Sequence, residues 1–199
     1  LFPGDVLPLQ IFEKHYQEML KACMDADERF GIILIKTGQE TGNTASPRDI
    51  GTVAKIIQVN EVAEGRFFLS VKGEQRFRLC AKLNNRPYPF GEIEMIVDET
   101  SGDDLHFIAN SVRHEAEKMV NLIIGLDGGW SKHASLPNDP AALSYHIPKL
   151  LGIDLVAKQN LLEDTTTGRL HSELSLLKAQ ADIIKSRIKD DLRGRFSDN

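Results

Sequence analysis

The chain has 199 residues and a net charge of −5, with 41% hydrophobic and 27% charged residues. These values are typical of a globular chain with one substantial core or two smaller ones, and they exclude wholesale disorder. The negative charge also disfavours broad binding to the phosphate backbone of nucleic acids.

The first twenty residues, LFPGDVLPLQIFEKHYQEML, predict a turn, an extended strand and an amphipathic helix. Pro3-Gly4 is a turn dipeptide, and Pro8 restrains its preceding neighbour toward extended geometry. Apolar residues then recur at helical spacing, at Phe12, Tyr16, Met19, Leu20 and Cys23. The run is distinctive as architecture but carries almost no reactive side chain, which favours a binding module over an enzyme.

Several further segments predict short strands as far as about Val97. Residues 30–35, FGIILI, form a nearly continuous apolar run, which predicts a central strand covered on both faces. The polar stretch 37–49 predicts a loop and is the best candidate for mobility. Residues 92–95, EIEM, predict a strand with carboxylates outward and apolar groups inward. Five or six short strands with one early helix predict a small, strongly curved sheet or semi-barrel.

A β-hairpin is predicted at residues 72–75, KGEQ, because Gly73 can adopt the positive φ that a two-residue hairpin requires. Apolar residues alternate with polar ones on both sides of it, at Phe67, Leu69 and Val71 before it and at Phe77 and Leu79 after it. This alternation predicts that Phe67 and Phe77 pack in the core.

Beyond about Thr100 the hydrophobic period becomes helical and strand signals cease. Residues 105–124 predict an amphipathic helix, and Asp139 and Asp154 are predicted N-caps of two short helices. A last helix, from about Thr166 to Leu192, carries an apolar seam at Leu170, Leu174, Leu177, Ala181, Ile184 and Ile188. Packing of this seam against the chain's own helices is the preferred interpretation, and pairing with another helix is the alternative.

These segments, in this order, resemble the N-terminal substrate-recognition domain of Lon-type ATP-dependent proteases, which also occurs in stand-alone proteins. The similar segments are LFPGDVLPLQIFEKHYQEM, FGIILI, IGTVAKI, GRFFLSVKGEQRFRL, YPFGEIEMI and DPAALSYHIPKLLGIDLVAKQNLLEDTTTGRLHSEL. The resemblance implies an α+β fold with two parts. Residues 1–100 are expected to form a curved sheet or PUA-like semi-barrel with one helix, and residues 101–199 a helical bundle with a long last helix.

Family members usually carry another extended apolar segment before the turn at Pro3-Gly4. The chain begins at Leu1 rather than at methionine. We therefore expect either a sheet without its first strand or a strand that precedes Leu1. The resemblance also implies that the chain recognises protein substrates or partner polypeptides, with no catalysis of its own and no cofactor.

No catalytic, cofactor or metal site is predicted from the residues themselves. The stretch 31–37 lacks the glycine that a phosphate-binding loop has before its lysine. Ser131-Lys132 lacks the partners of a Ser–Lys peptidase, and a hydrolase that uses this pair is the competing enzymatic hypothesis. The histidines are scattered, since His106 and His114 lie more than two helical turns apart. We therefore expect a non-enzymatic chain that works, where proteolysis is involved, with an ATPase or protease acting in trans.

Cys23 and Cys80 fall in predicted regular elements, which favours buried thiols in a reducing compartment over a disulfide. No run approaches about 18 apolar residues, and no signal segment opens the chain. A cytoplasmic protein that does not bind membranes is therefore expected.

Two aromatic residues are the candidate polypeptide-binding side chains, with the loop 37–49 as a third element. Phe68 shares its predicted strand face with Ser70 and Lys72, so we expect it to be exposed. Trp130 is the only tryptophan and lies in a glycine-flanked loop, where it either anchors the loop or contacts a partner.

The sequence is also compatible with two alternative functions. Basic residues are predicted along one edge of the hairpin, at Arg66, Lys72, Arg76, Arg78 and Lys82. PUA-like folds can bind RNA, so RNA binding beside the aromatic residues is one alternative, although the net charge makes nucleic acid an unexpected partner. Assembly through the terminal helix is the other.

Overall fold

The computed structural model describes residues 1–38, 45–62, 65–126 and 136–197, without the side chains of residues 103, 125, 126, 188 and 190–197. The chain forms two compact units, Leu1–Val97 and Asp98–Asn199. The first is strand-rich with one helix and the second is helical. The mixed α+β fold predicted from the sequence is therefore confirmed.

Among the described residues, the first unit is an antiparallel sheet of five strands with one helix. Its elements are β1 (Val6–Ile11), α1 (Lys14–Met24), β2 (Arg29–Thr37), β3 (Ser46–Val62), β4 (Arg66–Leu83) and β5 (Phe90–Met95). The strand order is β1-β4-β3-β2, and β5 pairs with the second half of β4. Because β3 and β4 are 17 and 18 residues long, the short strands predicted for this region are partly merged into two long ones.

The core of the first unit lies between one face of the sheet and α1. Leu20 of α1 is buried, and Tyr16 and Cys23 lie beside it at helical spacing, as the sequence predicts. The sheet contributes alternate residues of four strands, which are Leu7, Leu9, Ile11, Phe30, Ile32, Ala54, Ile56, Val59, Phe67, Leu69 and Val71. The predicted turn at Pro3-Gly4 is also present, with Gly4 at φ 84°.

The hairpin predicted at residues 72–75 is wrong, because β4 continues without a turn through this stretch. The pairing of β4 with β3 shifts by one residue here, so that Glu74 is an extra residue in β4. Such a β-bulge bends the strand and changes its twist without reversing the chain. A glycine followed by a polar residue is compatible with either structure, and the long partner strand β3 decides between them.

Gly73 is required at the bulge by a close approach of the N-terminal turn. A Cβ atom at this position would collide with the backbone carbonyl oxygen of Phe2. The Gly73 carbonyl accepts a hydrogen bond from the Gly4 N–H at 2.8 Å, and the Gly73 N–H donates to the Asp5 carbonyl at 2.9 Å. Glycine is therefore required here because the backbone of the N-terminal turn approaches closely, and not because the chain needs a positive φ at this position.

The bulge also moves the side chains of β4 from one face of the sheet to the other. Val71 faces the core beside α1, whereas Phe77 is paired with Gly51 on the opposite face. The Phe77 ring is buried there and packs directly on Gly31 and Gly51, which have no side chain to obstruct it. The prediction that Phe77 is buried is confirmed.

Substitution of Gly51 by valine is expected to destabilise the chain by about 1–3 kcal/mol. The first added carbon would lie 2.6 Å from both the Ile32 carbonyl oxygen and Cζ of Phe77, and the backbone oxygen cannot move aside easily. Urea denaturation followed by circular dichroism measures the change. Gly152→Val is the matched control, since an added Cβ at Gly152 meets nothing within 4 Å. An equal loss in both variants would contradict this packing.

Strand β2 pairs only with β3 among the described strands, so the central strand predicted for residues 30–35 is wrong. Several of its apolar side chains are only half-buried. A continuous apolar run is compatible with an edge strand whose faces are partly covered, and composition alone does not distinguish the two positions.

The loop predicted at residues 37–49 is shorter than expected. Thr37 ends β2, and residues 46–49 belong to β3, because pairing between these strands continues through two register shifts. Residues 39–44 lie outside the described part of the chain.

Two other predicted burial patterns in the first unit are wrong. Ile93 and Met95 of β5 are exposed, as are Glu92 and Glu94, so alternation in β5 does not separate a covered face from an uncovered one. Cys80 is exposed rather than buried, and Cys23 is half-buried. Alternation identifies which residues share a face but not what covers that face.

The second unit contains four helices among its described residues: α2 (Asp103–Leu126), α3 (Pro140–His146), α4 (Leu155–Glu163) and α5 (Thr166–Ser197), with a 3-10 turn at Ile147–Lys149. The predicted N-caps are confirmed. The Asp139 carboxylate accepts a hydrogen bond from the Ala142 N–H at 2.8 Å, and the Asp154 carboxylate accepts from the Ala157 N–H at 2.7 Å.

The seam of α5 packs within its own unit. Leu170 and Leu177 are completely buried and join the same core as Val112, Ala116 and Met119 of α2. Leu174 and Ile184 are half-buried against this core. These contacts support packing of the seam against the chain's own helices, whereas assembly through this helix stays a prediction.

Candidate polypeptide-binding surface

The sheet of the first unit presents a second face, opposite to the core beside α1. We define the outer face as the positions that alternate with the core residues: Val6, Pro8, Gln10 and Phe12 along β1 and just after it, Arg66, Phe68, Ser70 and Lys72 along β4, and Lys55, Gln58, Asn60 and Val62 along β3. The register of the three strands places these residues, apart from Phe12, in adjacent rows, and Phe12 directly follows the end of β1.

The outer face carries several exposed apolar side chains. Val6, Phe12, Val62 and Phe68 are 42–60% exposed, and Pro8 is exposed between the first two. Isolated exposed apolar residues are ordinary on protein surfaces. A group of them on neighbouring strand positions is typical of an interaction surface.

Polar and cationic side chains lie directly beside these apolar groups. Phe68 is opposite Gln10 on β1 and opposite Asn60 on β3. Directly opposed residues in an antiparallel pair have Cβ atoms about 5 Å apart, so Phe68 is flanked by an amide on each side. At the other end of the outer face, Lys72 is opposite Val6 on β1 and opposite Lys55 on β3.

The outer face is also positively charged in a chain whose net charge is −5. Its cations are Arg66, Lys72 and Lys55, and none of its positions carries Asp or Glu. Glu74 at the neighbouring bulge forms an ion pair with Arg29, with Nε and Oε2 separated by 2.6 Å. The outer face therefore combines exposed apolar area with local positive charge.

The structure locates one of the two predicted binding residues on this surface. Phe68 is exposed on the outer face, as its position beside Ser70 and Lys72 predicts, while Phe67 packs against the core. Trp130 lies outside the described residues, as do residues 39–44 of the predicted loop. The role of Phe68 and Trp130 in binding stays a prediction.

The predicted basic edge of five residues is wrong. Arg76 is buried at 3% exposure, and the bulge before it separates Arg78 and Lys82 from the row that contains Lys72. The positive charge of the outer face comes instead from Arg66 and Lys72 together with Lys55 of the adjacent strand.

Sequence reasoning missed Val6, Phe12 and Val62 as exposed members of this surface. One signal was available: the run VLPLQIF has apolar residues at both odd and even positions, so a strand made from it must expose some of them. Which of the two sets is exposed follows only from the core, in which Leu7 and Leu9 join the cluster that contains Leu20 of α1.

The second unit contains a dense polar cluster that the sequence analysis did not predict. Arg169 of α5 is completely buried. Its Nε donates to Oγ of Ser144 at 2.9 Å, and its Nη1 donates to the carbonyl oxygens of Leu161 and Asp164, each at 3.2 Å. One guanidinium therefore links α3, the end of α4 and the start of α5.

Asp98 and Tyr145 complete the surroundings of this guanidinium. The Tyr145 hydroxyl donates to Asp98 at 2.5 Å, and Asp98 Oδ1 lies 3.6 Å from Nη2 of Arg169. The Arg169 guanidinium carbon is 4.1 Å from the centroid of the Tyr145 ring. An ion pair, a ring contact and three hydrogen bonds therefore hold one buried cation.

Glu173 is buried one turn further along α5. Its two carboxyl oxygens have no hydrogen-bond partner within the described structure. Burial raises the pKa of Glu173 to about 9, although the Arg169 charge acts in the opposite direction. Glu173 is therefore protonated at neutral pH.

Arg169 and Glu173 are completely buried, so this cluster stabilises the helices rather than offering groups to a ligand. Its sequence signal is the spacing of Thr166, Arg169 and Glu173 by three and four residues, which puts all three on the buried stripe of α5. Within the described residues no group of three or more His, Cys, Asp or Glu side chains could hold a metal ion. None of the described helices has the length and apolarity to cross a membrane.

Comparison with known families matches residues 1–179 to the model described as "ATP-dependent protease La (LON) substrate-binding domain". Lon protease 2 of Myxococcus xanthus is 24% identical over 202 residues, which cover 98% of this chain and 24% of that protein. Lon protease of Escherichia coli K12 is 24% identical over 210 residues, which cover 97% of this chain and 25% of that protein. The chain spans about a quarter of the length of these curated relatives.

Solved structures show the same fold. The N-terminal domain of Lon protease from the Mycobacterium avium complex superposes with a TM-score of 0.66 at 18% identity, and the match covers 89% of this chain and 92% of that one. A Lon N-terminal domain protein from Xanthomonas campestris superposes with a TM-score of 0.62 at 20% identity, covering 88% and 91% of the two chains.

Proposed function

Since this chain belongs to the Lon substrate-binding domain family, we propose that it binds unfolded or partner polypeptides and carries out no reaction on them itself. The observation that carries the proposal is the family match over residues 1–179. ATP hydrolysis and peptide-bond cleavage would be supplied by other protein segments, in the same chain or in trans. The expected compartment is the cytoplasm.

The outer face supports this proposal with a physical means of binding. Unfolded polypeptides expose apolar side chains, and covering apolar area is favourable by roughly 25 cal/mol per Å². Val6, Phe12 and Phe68 offer such area, while the amides of Gln10 and Asn60 can hydrogen-bond an extended backbone. We place polypeptide binding on this face, with Trp130 as a further candidate contact.

Phe68→Ser is expected to weaken binding of an unfolded protein about fivefold or more, because truncation of a buried interface aromatic commonly costs over 1 kcal/mol. The measurement is fluorescence anisotropy of a dye-labelled, reduced and carboxymethylated protein, titrated with the 1–199 chain. Phe90→Ser is the matched control, since Phe90 is a strand phenylalanine with 43% exposure against 46% for Phe68. Circular dichroism confirms that both variants are folded.

Two outcomes would contradict different parts of the proposal. No saturable binding of the unfolded protein at about 100-fold excess of the chain would overturn polypeptide binding itself. Equal affinities for wild type, Phe68→Ser and Phe90→Ser would support polypeptide binding but contradict its assignment to the outer face. Trp130 fluorescence is an independent measurement of binding, because it responds if the segment around Trp130 contacts the ligand.

A further inference from the structure

Building on the proposed function, we propose that the outer face selects extended polypeptide segments in which acidic side chains lie on both sides of an apolar one. Three features of the face carry this inference: the position of Phe68 between two cations of one strand, the lack of acidic residues among the outer-face positions, and the apolar groups on the flanking strands.

The spacing along β4 sets the length of the segment. Arg66, Phe68 and Lys72 share one face, with Phe68 two residues from Arg66 and four from Lys72. At about 3.3 Å per residue, Arg66 and Lys72 lie roughly 20 Å apart. An extended peptide of about seven residues covers this distance and presents its own alternate side chains at the same interval.

Charge complementarity sets the chemistry of the segment. Arg66, Lys72 and Lys55 give the face a local charge opposite to that of the chain as a whole. An acidic peptide would therefore be attracted to this face and repelled by most of the remaining surface. A basic peptide with the same apolar content would experience the reverse.

A polypeptide fits this surface better than a single-stranded nucleic acid. Stacking of successive bases requires a row of aromatic platforms, and the residues paired directly with Phe68 are the amides Gln10 and Asn60 rather than further aromatic residues. Arg76, which would extend the positive charge along β4, is buried. The aliphatic groups Val6, Pro8 and Val62 instead match aliphatic side chains of a peptide.

Three fluorescent peptides of equal length test the inference with the intact 1–199 chain. Each carries leucine at the third position of a seven-residue core flanked by Gly-Ser, with Glu, Gln or Lys at the first and seventh positions. The Glu peptide is expected to bind about fivefold more tightly than the Gln peptide, as two exposed ion pairs would provide, and the Lys peptide more weakly than either. Raising the salt concentration from 50 to 500 mM should reduce these differences.

Lys72→Glu is expected to abolish or reverse the preference for the Glu peptide. Arg78→Glu is the matched control, because it makes the same charge reversal at an exposed position of β4 outside the outer face. Arg78→Glu should retain the wild-type order of affinities, with the Glu peptide bound most tightly and the Lys peptide most weakly. Retention of that order by Lys72→Glu, or its loss in both variants, would overturn the assignment to this face.

The remaining outcomes separate this inference from the proposed function. Equal affinities for the three peptides, together with binding of the unfolded protein, overturn the acidic preference and leave polypeptide binding standing. Absence of binding to any peptide and to the unfolded protein overturns both. A single-stranded oligoribonucleotide that binds more tightly than the Glu peptide, and loses affinity in Lys72→Glu, overturns the choice of polypeptide as the ligand.

Discussion

Replacement of Arg169 by methionine is expected to lower the free energy of unfolding by about 3–5 kcal/mol, the usual cost of removing one partner from a buried ion pair. The variant leaves Asp98 without its cation and leaves the carbonyl oxygens of Leu161 and Asp164 without their donor. Each buried acceptor without a partner adds a desolvation cost. Thermal and urea denaturation of the 1–199 chain, followed by circular dichroism at 222 nm, measures the loss.

Arg187→Met is the matched control for this prediction, since Arg187 lies on the same helix and is exposed. We expect it to change stability by less than about 0.5 kcal/mol. Addition of Asp98→Asn to Arg169→Met should recover part of the loss, because the uncompensated carboxylate is then removed. Equal stabilities for wild type and Arg169→Met would show that the guanidinium does not hold these helices together.

Glu173→Gln is expected to flatten the pH dependence of stability between about pH 5 and 9. The pKa of Glu173 is about 9 in the folded chain and near the ordinary 4.5 when unfolded. Between these values the folded chain holds a proton that the unfolded chain has released. The free energy of unfolding therefore falls with rising pH, by up to about 1.4 kcal/mol per pH unit from this group.

The contribution of Glu173 is fully present below pH 4.5, where both states are protonated, and it is lost as pH rises through about 9. The measurement is urea denaturation of wild type and variant at pH 5.5, 7.0 and 8.5, compared as a difference at each pH. The free energy of unfolding of Glu173→Gln, taken relative to that of the wild type, should increase as pH increases. Glu117→Gln, at an exposed position of α2, should not. Parallel curves for wild type and Glu173→Gln would contradict the raised pKa.

Features set by neighbouring residues were predictable from the sequence. The caps at Asp139 and Asp154, the turn at Pro3-Gly4 and the periodic helices all depend on contacts within a few residues. The exposure of Phe68 was predictable as well, because its polar neighbours on the same strand face argue against burial. The family was recognisable from the order of several such segments rather than from any reactive motif.

Features set by distant residues were not predictable in the same way. Gly73 carries the signal of a hairpin, yet the turn around Phe2 and the partner strand β3 make it a bulge. The run at 30–35 has the composition of a central strand, yet it lies at the edge in the described sheet. Arg169 and Glu173 look like surface charges of a long helix, yet both are buried in the folded unit, where Arg169 contacts Ser144 of α3 and Leu161 of α4.

The sequence by itself determined the strand-rich and helical parts, the helix N-caps and the membership of a substrate-binding family, because these depend on local conformational preference and hydrophobic period. Tertiary structure alone decided which face of the sheet is covered, and therefore which residues form the outer face. Val6 on β1, Phe68 on β4 and Val62 on β3 are placed on one face by the register between strands, which includes shifts at Glu74 of β4 and at Ile57 of β3.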